Sequence, residues 1–247
     1  LIGCTPDNWN AWIDGSQKLP ISGRLGRLLS ADLSLTSAAP IASEWALQHQ
    51  DEHHVEIQGY NDLMETASIN IRGRIDRVDE IVFPTEDIAQ LRENGLFAED
   101  AKVIPLFFDG TEPPAKRFII IRDIKTIEGP KPGRAGARHT SGLFNEIQLA
   151  MYARAWEIAH PGDRVVGVGI SEVGDDTEHF VELDPSFEPF TSALNLGTPT
   201  SYSTNHFRLP NEDASPQTNS FRAWMNSRIT AALRAAEASE LGWNHPT

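Results

Sequence analysis

RFIIIRDIKT, from Arg117 to Thr126, joins an unbroken apolar run to a group of charged residues. An apolar run of this kind, bounded by polar residues, predicts a strand that is covered on both faces, as in the middle of a sheet. Because side chains alternate along a strand, Asp123 and Lys125 are expected to point to the same face. We therefore expect a central strand that carries a charged pair near its carboxyl end.

A second strand is predicted upstream, over Ser68–Phe83. Its first half alternates apolar and polar residues, which indicates one buried face, and its register can bring Asp76 beside Asp123. The alternation slips after Asp76, which indicates a bulge or a bend there. Pro84–Lys116 is interpreted as an insertion in the hairpin between the two strands, with a polar helical piece at Glu86–Leu96.

The downstream half predicts a helix, two strands and a final helix. Leu143–His160 is expected to be a long helix, since its apolar residues recur at helical spacing. Strands are predicted at Arg164–Val173 and His179–Leu183, and an Ala-rich helix at Ser220–Leu241. Two tryptophans in these helices are expected to pack in the core, Trp156 and Trp224.

The N-terminal part is predicted to contain helices broken by turn residues. Ser43–His49 is interpreted as a short helix that Ser43 caps, and His53–Tyr60 as an edge strand. The complete order of elements predicts an α/β fold with a mixed central sheet flanked by helices. We expect an N-terminal helical segment of the same domain at 1–52, the core at 53–190 with an insertion near 84–116, and a C-terminal loop and helix at 191–247.

The composition limits the class of protein. The 247 residues are 40% hydrophobic, as in a globular domain, and no stretch approaches the roughly 18 apolar residues of a membrane span. The single cysteine, Cys4, excludes an internal disulfide and any Cys-only zinc or iron–sulfur site. It also favours a reducing, cytoplasmic setting. The chain begins with Leu1 rather than Met, which is compatible with a piece of a longer polypeptide.

The net charge of −14 is unusual for a protein that binds nucleic acid, because Lys and Arg usually neutralise the phosphates. Two explanations are open: a local basic groove within an acidic surface, or an acidic surface adapted to high salt. The most basic local segment is Lys131–His139. Its Arg134 and Arg138 are candidate phosphate contacts, and a flexible solvated loop is the alternative.

Asp76, Asp123 and Lys125 form the candidate site. Two adjacent carboxylates repel each other unless a cation lies between them, and Mg²⁺ binds through one or two carboxylates together with phosphate oxygens. A nearby ammonium group can orient water or balance the charge of a phosphate transition state. An Asp and a Lys two residues apart often form only a surface ion pair, but the buried strand that carries them favours a functional role.

Three motifs follow one another on strand, strand and helix: GRIDRVD (Gly73–Asp79), RDIKT (Arg122–Thr126) and QLAMYARA (Gln148–Ala155). Together they resemble the PD-(D/E)XK nuclease superfamily, in particular the RecB-like nuclease domain of helicase–nucleases, over residues 53 to 185. The resemblance implies a restriction-endonuclease-like fold and a metal-dependent DNA nuclease, an exonuclease of DNA repair or recombination. It further implies Mg²⁺ or Mn²⁺ as cofactor, DNA as substrate and a helicase domain or subunit as partner.

The resemblance also assigns roles to single residues. The positions that match metal-binding and catalytic residues are Asp76, Asp123, Ile124 (through its backbone carbonyl) and Lys125, the catalytic lysine. Gln148 and Tyr152 match a Q-x-x-x-Y pair that lies near the active site and the DNA strand. The structural alternative for this pair is a partly buried packing tyrosine and a solvated glutamine.

The chain departs from the family pattern upstream of these motifs. A family helix with Gly-x-x-x-His supplies a further ligand, whereas Ser22–Leu33 contains no histidine. His49, His53 and His54 are interpreted as solvent or loop residues, and no iron–sulfur cluster is expected. Because that histidine is missing, a catalytically inactive module that binds DNA or a partner helicase subunit is the alternative function.

Overall fold

A computed structural model describes seven ranges of the chain, residues 23–47, 55–60, 66–102, 114–126, 147–174, 177–199 and 220–243. Side chains at 23–25, 55–56, 58–60, 66 and 240–243 fall outside this description. In chain order the elements are α1 (Gly23–Ser34), β1 (Ala38–Ala46), β2 (Val55–Tyr60), β3 (Thr66–Ile71), β4 (Arg74–Ile81), α2 (Thr85–Glu93), β5 (Arg117–Thr126), α3 (Ile147–Ala159), β6 (Asp163–Val173), β7 (Glu178–Leu183), a 3₁₀ turn (Pro185–Phe187), α4 (Glu188–Thr191), β8 (Thr198–Pro199) and α5 (Phe221–Trp243).

Six of the strands form one sheet, which we call the main sheet, in the order β1-β4-β5-β6-β7-β8. Strand β4 is antiparallel to β1 and β5, β5 and β6 run parallel, and β7 is antiparallel to β6 and parallel to β8. Strands β2 and β3 form a separate antiparallel ribbon. The predicted α/β fold, with a mixed sheet flanked by helices, is confirmed.

Strand β5 lies inside the main sheet and has the predicted bounds. Its residues Phe118–Ile121 are buried on both faces, as an unbroken apolar run requires. In the chain, the segment that contains α2 lies between β4 and β5. These two strands pair antiparallel, as the hairpin interpretation predicted.

Different elements cover the two faces of the main sheet. The front face, which carries Ile119 and Ile121, packs against α3, α5 and the β2–β3 ribbon. The rear face, which carries Phe118 and Ile120, packs against α2 and the segment that follows β7. Two tryptophans are buried in the front core as predicted, Trp156 and Trp224.

The helix predicted at Ser43–His49 is wrong. Residues Ala38–Ala46 form β1 instead, and its residue Trp45 pairs with Ile75 of β4. The Glu, Ala and Leu residues of this stretch have good helix propensity, but such a preference is weak and the pairing with β4 outweighs it.

The predicted single strand Ser68–Phe83 is two strands in different sheets. The break lies at Arg72–Gly73, before Asp76, and β4 then continues without interruption to Ile81. The alternation is lost after Asp76 because β4 is covered on both faces. The predicted irregularity lies in the partner strand β1, whose register with β4 shifts opposite Val78 and Asp79. The strand predicted at His53–Tyr60 is present as β2, but it pairs with β3 in the ribbon.

Among the strands that the structure describes, β1 is an edge of the main sheet, and it is irregular. It contains Pro40, its register with β4 shifts between Pro40 and Ala42, and Glu44 has a φ of 51°. The Glu44 carboxylate accepts a hydrogen bond from Arg74 at 3.0 Å.

Among the described residues, no helix is long and apolar enough to cross a membrane.

Candidate functional site

The pairing of β4 with β5 places two aspartates side by side. Arg77 of β4 lies opposite Arg122 of β5, and the next step of this antiparallel register puts Asp76 opposite Asp123. Because side chains alternate along a strand, both aspartates face the front, like Val78. We call Asp76 and Asp123 the site carboxylates.

Short contacts tie Lys125 and Ile124 to the site carboxylates. The Lys125 ammonium lies 2.6 Å from Oδ2 of Asp123, and the Ile124 backbone N–H donates to Oδ2 of Asp76 at 2.8 Å. The side chains of Lys125 and Asp123 are 38% and 17% exposed, so solvent and a ligand can reach them. The structure therefore gathers Asp76, Asp123, Ile124 and Lys125 in one accessible place.

The surroundings of Asp76 raise the pKa of its carboxyl group above the ordinary value. Burial raises the pKa of the Asp76 carboxyl, and the neighbouring Asp123 carboxylate raises it further. The hydrogen bond from Ile124 and the charge of Lys125 act in the opposite direction without reversing the shift. A cation placed between the carboxylates would relieve this repulsion.

The donor set fits a hard divalent cation. Within the described part of the chain, no third His, Cys, Asp or Glu joins the site carboxylates as a possible ligand. Mg²⁺ needs only one or two protein carboxylates, because water and phosphate oxygens complete its shell. Asp76 and Asp123 would hold such an ion. The Ile124 carbonyl stays a predicted ligand.

Gln148 and Tyr152 form a joined pair on α3. Gln148 Nε2 donates to the Tyr152 hydroxyl oxygen at 2.8 Å. Tyr152 is half-buried against the front core, and Gln148 is exposed. The tyrosine ring covers Gly73, the first residue of the GRIDRVD motif, where a β-carbon would come within 2.9 Å of the hydroxyl oxygen. The pair therefore packs just before the strand that carries Asp76.

Several residues considered in the sequence lie outside the described part of the chain. They are Arg134, Arg138, His49, His53 and His54. The phosphate contacts expected of the arginines and the solvent or loop positions expected of the histidines stay predictions.

Glu172 is a charged residue near the site that sequence reasoning missed. It lies on β6 beside Lys125 of β5 in the parallel register, so its side chain belongs to the same face. Glu172 is fully buried. The signal that could have identified it is a carboxylate within the largely apolar strand DRVVGVGISEV.

A second polar group, on the rear face, contains the three residue types of a serine-hydrolase triad, but its serine and aspartate contact the opposite ring nitrogens of the histidine. Ser171 Oγ lies 2.8 Å from Nδ1 of His179, and His179 Nε2 lies 2.9 Å from Oδ1 of Asp32. A nucleophilic serine must reach its substrate, whereas Ser171 is 1% exposed. The group therefore joins α1 to the sheet and carries no hydrolase site.

The chain matches no model of a known protein family, and no curated protein matches it. The contacts of the candidate site itself indicate what chemistry it can support. Those contacts comprise two adjacent carboxylates, an ammonium group at 2.6 Å from one of them, and an exposed amide hydrogen-bonded to a half-buried phenol on the helix α3.

Proposed function

We propose that the chain is a divalent-cation-dependent nuclease that hydrolyses phosphodiester bonds of DNA. The observation that carries the proposal is the meeting of Asp76, Asp123 and Lys125 on one face of adjacent strands. The order of the three motifs along the chain supports the same conclusion, because it resembles that of the RecB-like PD-(D/E)XK nucleases.

Each residue has a distinct task in this reaction. A divalent cation bound at the site carboxylates would act as a Lewis acid toward the phosphodiester. Lys125, held by Asp123, donates hydrogen bonds to a negatively charged phosphate oxygen or to the attacking water. The oxygen of water bonds to phosphorus as that water loses a proton to solvent, the bond from phosphorus to the sugar oxygen breaks, and the sugar oxygen takes up a proton from solvent.

The proposal also covers how DNA reaches the site and in which cellular process the nuclease works. DNA would approach the front end of β5, where Gln148 and Tyr152 border the site and Arg134 and Arg138 can contact phosphates. A local basic surface is required there because the chain as a whole carries a charge of −14. We propose an exonuclease of DNA repair or recombination, cytoplasmic, that works beside a helicase domain or subunit.

A purified-protein assay tests the proposal. Linear and circular DNA are incubated with the chain in Mg²⁺, in Mn²⁺ and in chelator, and the products are resolved on a gel. We expect degradation of linear DNA with either cation and none with chelator. Degradation limited to linear DNA identifies an exonuclease, and nicking of circular DNA identifies an endonuclease.

Asp123→Asn is the variant that assigns the activity to this site. Loss of one charged ligand should lower cleavage at least roughly 100-fold and leave DNA binding largely intact. The matched control is Asp100→Asn, which changes an exposed aspartate elsewhere and should cleave normally. Equal cleavage by Asp123→Asn and the parent would refute the assignment.

The second candidate function is a catalytically inactive nuclease fold that binds DNA or a helicase subunit. The absence of a third protein ligand within the described residues favours it. DNA binding without cleavage in any cation would establish this alternative.

A further inference from the structure

A buried ion cluster lies directly behind the site carboxylates, on the rear face of the main sheet. Arg77 and Arg122 face each other across β4 and β5, one residue along from Asp76 and Asp123 respectively. Arg122 and Asp79 are fully buried, and Arg77 is nearly so. We call Arg77, Asp79 and Arg122 the Asp79 cluster.

Asp79 joins the two arginines through one oxygen each. Arg77 Nε donates to its Oδ1 at 2.7 Å, and Arg122 Nε donates to its Oδ2 at 2.6 Å. Like charges directly opposite each other in a sheet repel, and a buried charge is costly without a partner. The single Asp79 carboxylate therefore turns a repulsive cross-strand pair into an attachment between β4 and β5.

The same cluster is anchored to neighbouring elements. Arg122 donates to the carbonyl oxygens of Phe180 at 3.1 Å and Leu196 at 2.5 Å. Arg77 donates to Asp32 of α1. Both guanidinium groups are thus held at more than one point, and a guanidinium fork held in this way has little freedom to move.

We propose that Asp79 is a positioning residue, which holds β4 and β5 together from the rear so that Asp76 and Asp123 keep the separation needed to bind a divalent cation. The proposal rests on the nuclease function proposed above. The two site carboxylates repel each other across the front of the same strand pair. The attachment at the rear opposes that repulsion one residue away, where it acts on the backbone that carries both ligands.

A purely structural role predicts a different result, and Asp163 provides the matched control. Asp163 is also fully buried and accepts two hydrogen bonds from Arg117, at 2.8 and 2.7 Å, and one from Trp156 at 3.0 Å. It lies against the opposite end of β5, about 20 Å from Asp123 at the usual rise of a strand. Asp163→Asn should therefore cost stability without altering the site.

The experiment measures Mn²⁺ affinity of the full chain by electron paramagnetic resonance of the free ion, at a temperature where circular dichroism shows folded protein. We expect Asp79→Asn to weaken Mn²⁺ binding roughly tenfold or more, the usual effect of losing a group that orients metal ligands. Asp163→Asn should bind within about twofold of the parent, although both variants lose stability against urea.

A triple variant provides a second test if Asp79→Asn does not fold. Arg77→Met, Asp79→Leu and Arg122→Met together remove the three buried charges of the cluster, and such apolar replacements of an ion triad are often tolerated. Asp32 loses its contact with Arg77, but its side chain is 30% exposed and stays within 2.9 Å of His179. We expect this variant to fold and to bind Mn²⁺ roughly tenfold more weakly than the parent.

The outcomes separate the two proposals. A parent that cleaves DNA, together with an Asp79→Asn or triple variant that binds Mn²⁺ within about twofold of it, overturns the positioning role alone. A parent that neither binds Mn²⁺ nor cleaves DNA overturns the nuclease function and the positioning role together.

Discussion

The Tyr152 hydroxyl lies over the backbone of Gly73, so that a β-carbon at position 73 would come within 2.9 Å of it. The ring carbon Cε1 of Tyr152 would follow at 3.3 Å and Cδ1 of Leu47 at 3.4 Å. Gly73 therefore leaves space for the tyrosine that Gln148 holds.

Gly73→Ala is expected to lower the free energy of unfolding by about 1 to 3 kcal/mol, the usual cost of overpacking. The new methyl group must displace the Tyr152 hydroxyl, which also strains its hydrogen bond with Gln148. Urea denaturation measures the cost. In a Tyr152→Phe background the nearest atom is absent, so the same substitution should cost less; an equal cost in both backgrounds would contradict the packing argument.

Gln148→Ala and Tyr152→Phe test whether the pair serves the reaction. If its amide and phenol contact the DNA or the reacting groups, each variant should cleave roughly tenfold more slowly, a loss of about 1.4 kcal/mol of transition-state stabilisation. Gln148 is exposed, so its removal should leave stability nearly unchanged. Normal cleavage rates, or rates that follow lost stability, would show that the pair is structural.

Lys125→Ala is expected to reduce cleavage roughly 100-fold, because the ammonium supports charge that develops in the reaction. Lys102→Ala removes an exposed lysine elsewhere and serves as the control. Single-turnover rates at saturating DNA separate a slower reaction from weaker binding. A change in DNA affinity alone would reduce Lys125 to a phosphate contact.

A divalent cation should stabilise the folded protein, since a ligand that binds only the native state raises its stability. Mn²⁺ is expected to raise the melting temperature of the parent, with an effect that grows with concentration. Asp123→Asn should lose this response and Asp100→Asn should keep it. The measurement requires no DNA, so it detects the cation site even in a catalytically inactive protein.

His160 should make stability fall with acid. Burial lowers its pKa from the ordinary 6.5, although the Trp156 carbonyl and Asp163 favour the charged form. The unfolded chain then binds the proton more readily. Stability is complete above about pH 6.5 and declines as the pH falls through the lower pKa of the folded state. His160→Phe keeps a ring that can stack on Trp156 but cannot titrate, so urea titrations at pH 7.5 and 5 should show a smaller decline.

Local patterns predicted the elements whose residues all indicate the same structure. The run Phe118–Ile121, rich in β-branched residues, favours a covered strand, and β5 has the predicted bounds. Strands β6 and β7 and the final helix follow the pattern equally closely. The alternation along the strand also predicts that Asp123 and Lys125 share one face at the charged end of β5, and this prediction needs no knowledge of the partner strand.

The remaining parts depend on contacts between distant residues, which a local pattern does not contain. Strand β1 exists because β4 pairs with it, and the break at Arg72–Gly73 coincides with the packing of Tyr152. The Asp79 cluster was missed for a different reason. Its charged residues belong to the GRIDRVD and RDIKT motifs, whose front-facing aspartates are the ones that the motif pattern singles out. The contacts among the rear-facing charged residues depend on the register between β4 and β5, which the sequence does not show.

The irregular edge strand has a consequence for the protein at high concentration. A free sheet edge can accept a strand from another molecule, which begins growth of ordered aggregates. Pro40 offers no N–H group, the register with β4 shifts beside it, and the positive φ of Glu44 departs from the backbone conformation of a regular strand. Replacing these features with a regular alternating strand would give β1, an edge among the described strands, the regularity that self-templated polymerisation requires.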